Sequence, residues 1–230
     1  MSNSNPRERA ESNALIGTAA GFLVLFVGAA SAYPGGTHFD HAALGHDFWR
    51  NTLCDVARTV ALDGAPNEGA CALARIAMVT LALGLGVLFV SLPRFFPSRT
   101  RLGATVRLLG LAAVPCAIAV VLLPTDRFSH LHGVAIVLAG SLGLAAVILA
   151  LRGLFSDARA PGIVVALGVV SLCVAAVDFA LYVAEFLSHG PAQVAVPVLE
   201  RVATILVLTW MIAVAHALRR LHVQSLPRVR

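Results

Sequence analysis

Asp178, Tyr182, Glu185 and His189 follow one another at i, i+4, i+7 and i+11 inside a long apolar run. That spacing puts all four on one face of a helix. A carboxylate surrounded by hydrocarbon is costly, so it must be protonated, paired with a cation or placed beside water. Three chemistries follow: proton carriage, contact with a polar ligand, or an ion pair that only fixes helix register. Arg75 and Arg201 also lie in apolar runs and are the natural partners of such a pair. Two further groups combine imidazole with carboxylate. Asp126, His130 and His132 follow Pro124, and His38, Asp40 and His41 follow the first apolar run. Nitrogen and oxygen donors of this kind suit zinc, with Asp55 or Glu185 as general base of a hydrolase. Neither group has HExxH or another diagnostic metal spacing, and solvated residues at a helix mouth give the same pattern. His130 and His216 fall at opposite ends of their runs, which excludes them as a facing haem pair. No glycine-rich phosphate loop and no Gly-x-Ser-x-Gly elbow is present.

The elements that must position these groups are membrane spans. The chain has 230 residues, is 58% hydrophobic and 13% charged, and has a mean hydropathy of +0.85. This is the composition of a membrane protein. Spans of about 20 residues each use most of the length, so the expected architecture is all-α, one six-helix transmembrane bundle. The spans are expected at 14–32, 71–92, 103–123, 130–151, 162–187 and 196–218. Residues 14–221 form the transmembrane domain, between a polar tail at 1–13 and a basic tail at 222–230. Ala30-Ser31-Ala32 resembles a cleavage site, but the run before it is long for a signal peptide, and Glu8 and Glu11 offset Arg7 and Arg9. The first run therefore reads as a retained span. Gly17 and Gly21 on the first span, and Ala135, Ala139 and Gly143 on the fourth, suit close helix approach. Pro115 should kink or loosen the third span. Pro124 to Ser129 should form a tight turn.

Residues 33–67 are the one long polar insertion. Within them, 47–62 fits a short amphipathic helix. Trp49, Leu53, Val56 and Val60 form its apolar stripe, and Asp47, Asn51, Asp55 and Arg58 its polar face. Cys54 and Cys71 fall on one side and could be bridged, whereas Cys116 and Cys173 read as small core residues.

Arginine supplies all 17 basic residues. Arg7, Arg9, Arg94, Arg99, Arg101, Arg107, Arg152, Arg159, Arg219, Arg220, Arg228 and Arg230 share the side of the termini, against Arg50, Arg58, Arg75, Arg127 and Arg201 opposite, a split of 12 to 5. By the positive-inside rule both termini are expected in the cytoplasm, and abundant Ala, Val, Gly and Arg without Lys suggests a bacterial genome, hence an inner membrane. The high pI thus reports topology and gives no case for nucleic acid. Nine of the 12 acidic residues and six of the 8 histidines then fall in the outer half.

Tyr33-Pro34-Gly35, the run from Phe48 to Asp55, Gly64 with Asn67, and Pro124-Thr125-Asp126 with His130 or His132 together resemble the bacterial domain-of-unknown-function 998 family of multipass membrane proteins. Cys54-Asp55-Val56-Ala57 departs from the Ser-Asp-Leu-Gly common there. The resemblance spans nearly the whole chain and implies a helical bundle with a polar site on one face. It implies no established reaction. The residues themselves lead to an outer-facing pocket that binds a lipid head group or small polar ligand. Asp55, Arg58 and Asn67 would shape its mouth, and Asn51 is a further ligand-binding candidate. Arg75 and Arg201 would meet an anionic group, balanced by Asp178 and Glu185, with Tyr182, Asp126, His130 and His132 in the wall. The alternatives are the zinc hydrolase, a proton-coupled carrier relying on Asp178 and Glu185, and a protein whose charges serve packing alone.

Overall fold

The computed structural model describes residues 6–157, 159–188 and 193–224, with side chains as far as residue 221. It is all-α. Seven helices follow in order: α1 (Pro6–Ser31), α2 (Leu53–Val56), α3 (Glu68–Ser91), α4 (Thr100–Leu122), α5 (Thr125–Phe155), α6 (Gly162–Ser188) and α7 (Ala195–Gln224). All but α2 are long and apolar enough to cross a membrane, and the chain is a multipass membrane protein. A helix satisfies most of its backbone hydrogen bonds internally, the condition for crossing hydrocarbon.

The six spans form a ring. α1 packs on α3 and α7, α3 on α4, α4 on α5, α5 on α6, and α6 back on α7. One end carries the described ends of the chain and the other carries residues 33–67; these are the terminal end and the loop end below. The terminal end is filled. Phe95, Phe96, Leu88, Leu154, Leu218 and Trp210 are fully buried there, and the Trp210 indole donates to the Val164 carbonyl at 2.8 Å. Polar groups close it further. The Arg94 guanidinium forks onto Glu11, with two N–H···O contacts of 2.5 Å. Arg219 donates to Ser12 and Asn13 at 2.7 and 2.8 Å.

Several expectations are corrected here. The tail expected at 1–13 is helical from Pro6 onward, because Glu11, Ser12 and Asn13 find partners on neighbouring elements. The α4 helix continues through Pro115, which has no N–H for the Leu111 carbonyl and so loosens the helix there as expected. The turn expected at Pro124–Ser129 is helical from Thr125, interrupted at Phe128 (φ −135°, ψ 42°). Close approach on α5 falls on Gly133 and Gly140, against Phe186 and Phe179 of α6, whereas a Cβ at Gly143 or Gly17 would meet open space. Cys54 and Cys71 are both free thiols, and Cys173 is exposed on the outside of the ring and not in the core.

The amphipathic helix expected over 47–62 shrinks to the four residues of α2. Asp47 draws the amides of Trp49 and Arg50 to its own carboxylate, which sets a turn in place of a helix. Thr52 and Asp55 then form a reciprocal capping box that starts α2 afresh. The stripe splits as a result. Leu53 and Val56 enter the core, while Trp49 and Val60 are exposed. The face expected in water is partly the buried one, since Asn51 and Asp55 are 0% and 2% exposed.

Candidate functional site

Residues 33–67 fold into a compact cap over the loop end. Gly36 shows why its opening needs glycine. Its φ is +84°, and a Cβ there would run into the backbone of Leu62 and Asp63. The side chains that hold the cap come from three spans. From α7, Glu200 accepts the Leu53 amide at 2.8 Å. Arg201, 3% exposed, donates to the Asn51 carbonyl at 2.8 Å, the Phe48 carbonyl at 3.2 Å and the His46 ring at 3.3 Å. It also lies over the rings of Phe26 and Phe48. From α5, Asp126 accepts from the amides of Thr59 and Val60 and from the Thr59 hydroxyl. From α3, Cys71 and Arg75 both donate to the Ala57 carbonyl. Within the cap, the Asn67 amide spans the carbonyls of Val56 and Arg58, and the Asn51 amide reaches that of Gly36.

Behind this cap, inside the ring, lies a cavity of about 740 Å³. Its wall is polar toward the loop end, with His38, Thr52, Asp55, Arg58, Ser129, His130, His132, Tyr182, Glu185 and Glu200. Deeper in, Leu85, Phe89, Val114, Ile136, Leu144 and Val207 make it apolar. On α5 the lining runs from Ser129 to Val147, roughly 25 Å of helix at 1.5 Å per residue. Asp178 lines the middle, ten residues or roughly 15 Å from the loop end of α6.

The predicted site residues divide cleanly. Asp55, Arg58, His130, His132, Asp178, Tyr182 and Glu185 line the cavity. Asn51, Asn67, Arg75, Asp126 and Arg201 do not; they hold the cap. The pairing expected of Asp178 and Glu185 with Arg75 and Arg201 is not formed. Arg201 is turned to the cap and Glu200, its Nη1 lying 3.7 Å from that carboxylate. Asp178 Oδ1 is buried with no hydrogen-bond partner among the described residues. Glu185 accepts the Gln193 amide at 3.4 Å. His189 lies outside the described residues.

Nor do the metal candidates converge. Among the described residues no three His, Cys, Asp or Glu side chains are arranged to hold a metal ion. Asp126 is consumed by Thr59 and Val60. His130 rests against the Phe186 ring at 5.8 Å. His38 pairs with Asp55 at 3.1 Å, and His41 Nδ1 meets the Leu62 carbonyl at 2.8 Å. His132 Nδ1 lies 2.7 and 3.0 Å from the carbonyls of Leu123 and Val120. Those partners only accept, so Nδ1 carries the proton and Nε2 presents a lone pair.

Burial and neighbours set the ionisation of the cap. Burial opposes charge on Asp55, but hydrogen bonds from His38 and Thr52 outweigh it and hold the carboxyl below its usual range. The same bond raises His38. His46 is driven down to about 4 by burial and by the Arg201 charge. Burial lifts the Tyr33 phenol to about 12 and the Cys54 thiol well above its usual range.

Glu200 is the wall residue that the sequence reading passed over. Its only signal was a second charge beside Arg201 in an apolar run. Thr52 and Ser129 gave no signal, since their role depends on where α2 and the start of α5 meet. Comparison with family profiles, curated proteins and solved structures returned no match.

Proposed function

We propose that this protein binds an amphiphile within its helical ring, with the polar group toward the loop end and the hydrocarbon in the apolar depth. The observation that carries this reading is a cavity whose wall changes from polar to apolar along about 25 Å. That length accommodates a membrane acyl chain, since half a bilayer core is about 15 Å. A small polar solute would leave the deeper wall uncovered. The ring sits in lipid, so the ligand class is at hand.

The test fills the cavity. Gly143 lines it and has open space at its Cβ position, so Gly143→Leu should occupy the depth while improving helix propensity. Protein purified in mild detergent should carry near-stoichiometric amphiphile, detected by mass spectrometry of the organic extract. Gly143→Leu should lose it at an unchanged melting temperature. Equal content in both proteins would overturn the reading.

A proton-coupled carrier is the second reading, favoured by Asp178 lining the cavity without an arginine partner. It requires proton flux in proteoliposomes that Asp178→Asn abolishes. The cytoplasmic side we propose for both termini rests on the arginine split and is tested with a reporter fused to the C-terminus; the bacterial inner membrane is proposed on the arginine-rich, lysine-free composition. Membership of the domain-of-unknown-function 998 family is proposed on its short motifs alone.

A further inference from the structure

We infer that the polar group taken into this cavity is a protonated amine. The inference rests on the amphiphile reading and adds the chemistry of the head group. Two lining residues have a buried polar atom without a hydrogen-bond partner among the described residues: His132 Nε2 and Asp178 Oδ1. His132 is 97% buried, being 3% exposed, and its tautomer is fixed by the two carbonyls at Nδ1. His132 Nε2 is therefore an acceptor, and the ionised Asp178 carboxylate is one as well. A buried acceptor left unpaired costs about 1–3 kcal/mol, and only a donor relieves it.

The charge of the wall points the same way. Among the described residues, Asp55, Asp178, Glu185 and Glu200 face Arg58 as the one arginine of the lining. Arg58 is already engaged, donating to the Val60 carbonyl and to Thr125. Asp55 is matched by His38, and Glu200 by Arg201 and the Leu53 amide. Among the described residues Asp178 is left without a cationic partner, and Glu185 has only the His38 imidazole that Asp55 already holds. Their neighbours on α6 are aromatic. Phe179, Tyr182 and Phe186 line the same wall, and the last two rings stack at 6.3 Å. Carboxylates beside aromatic faces are the surroundings in which an ammonium group is held. An anionic head group would meet both carboxylates. A hydroxyl could satisfy one acceptor but would leave the charge unbalanced.

The experiment uses the full-length protein in a non-ionic detergent and reads binding by native mass spectrometry. The probes share one chain: dodecylamine, dodecanol and dodecanoate. Phosphatidylethanolamine and phosphatidylglycerol are run beside them. Dodecylamine should bind at least about tenfold more tightly than dodecanol, the scale of a charge-assisted hydrogen bond. Asp178→Asn should remove that preference. Glu185→Gln, nearer the loop end, is the second variant and should weaken it in part. Phosphatidylethanolamine preferred over phosphatidylglycerol would identify a lipid head group as the source of the amine. Preference for dodecylamine alone would identify a free lipophilic amine. Equal binding of all three dodecyl probes would overturn the amine inference while leaving the amphiphile reading intact. Failure of every probe would overturn both.

Discussion

His46 should make the folded protein lose stability as the pH falls from about 6.5 to about 4. The ring lies between Phe26 and Tyr33, edge-on to both at 6.0 and 6.3 Å. Its Nε2 accepts from Arg201 at 3.3 Å. A proton there would break that bond and set two cations in contact, so burial and Arg201 hold the folded value at about 4 against 6.5 for a free histidine. In that window the unfolded chain binds the proton and the folded chain does not, so stability rises with pH. The full span corresponds to about 3 kcal/mol. Solvent reaching the partly exposed ring reduces this to about 1–2 kcal/mol. For a chain of this size that is a fall of roughly 2–8 °C in melting temperature. His38 and Asp55 keep out of the window. His38, raised by Asp55, contributes fully below 6.5 and loses its contribution only as pH rises through its folded value. Asp55, depressed, loses its contribution only as pH falls below the ordinary carboxylate range. The assay is thermal unfolding by circular dichroism in detergent at steps from about pH 7 down to about pH 4, which spans the titration. His46→Gln keeps an acceptor for Arg201 and cannot titrate, so its profile should be flatter than that of the parent. Identical slopes would refute the assignment of this pH dependence to His46.

Three further outcomes test the cap. Asn51→Ala strands the Gly36 carbonyl and the Asp47 amide that now meet its side chain; the loss should be about 2–4 kcal/mol in chemical unfolding. Asp126→Ala frees the amides of Thr59 and Val60, and hydrogen exchange over residues 58–61 should rise at least about tenfold, the equivalent of one lost hydrogen bond. Because Cys54 and Cys71 are both free thiols, maleimide should label both after unfolding without reductant. Cys54 should react slowly in the folded protein, since burial keeps it as the thiol.

The spans and their order were legible in the sequence, because a helix in hydrocarbon satisfies its own backbone and needs only length and apolarity to declare itself. The stripe on α6 was legible for a related reason. Helical periodicity alone puts Asp178, Tyr182 and Glu185 on one face, and depth follows from counting residues. What the sequence could not determine is which groups across the ring meet. Arg201 and Asp178 were matched on charge and depth, yet Arg201 is taken by three acceptors of the cap and Asp178 is left facing the cavity wall. The cap shows the limit most plainly. Periodicity assigned Asn51 and Asp55 to water over a surface helix, and tertiary structure buried both. A short polar segment makes too few contacts of its own to choose a conformation, so Asp47, Thr52 and the side chains reaching in from α3, α5 and α7 choose it. The cavity belongs to the same category, for its volume is what remains after six helices close into a ring. No property of any one helix contains it.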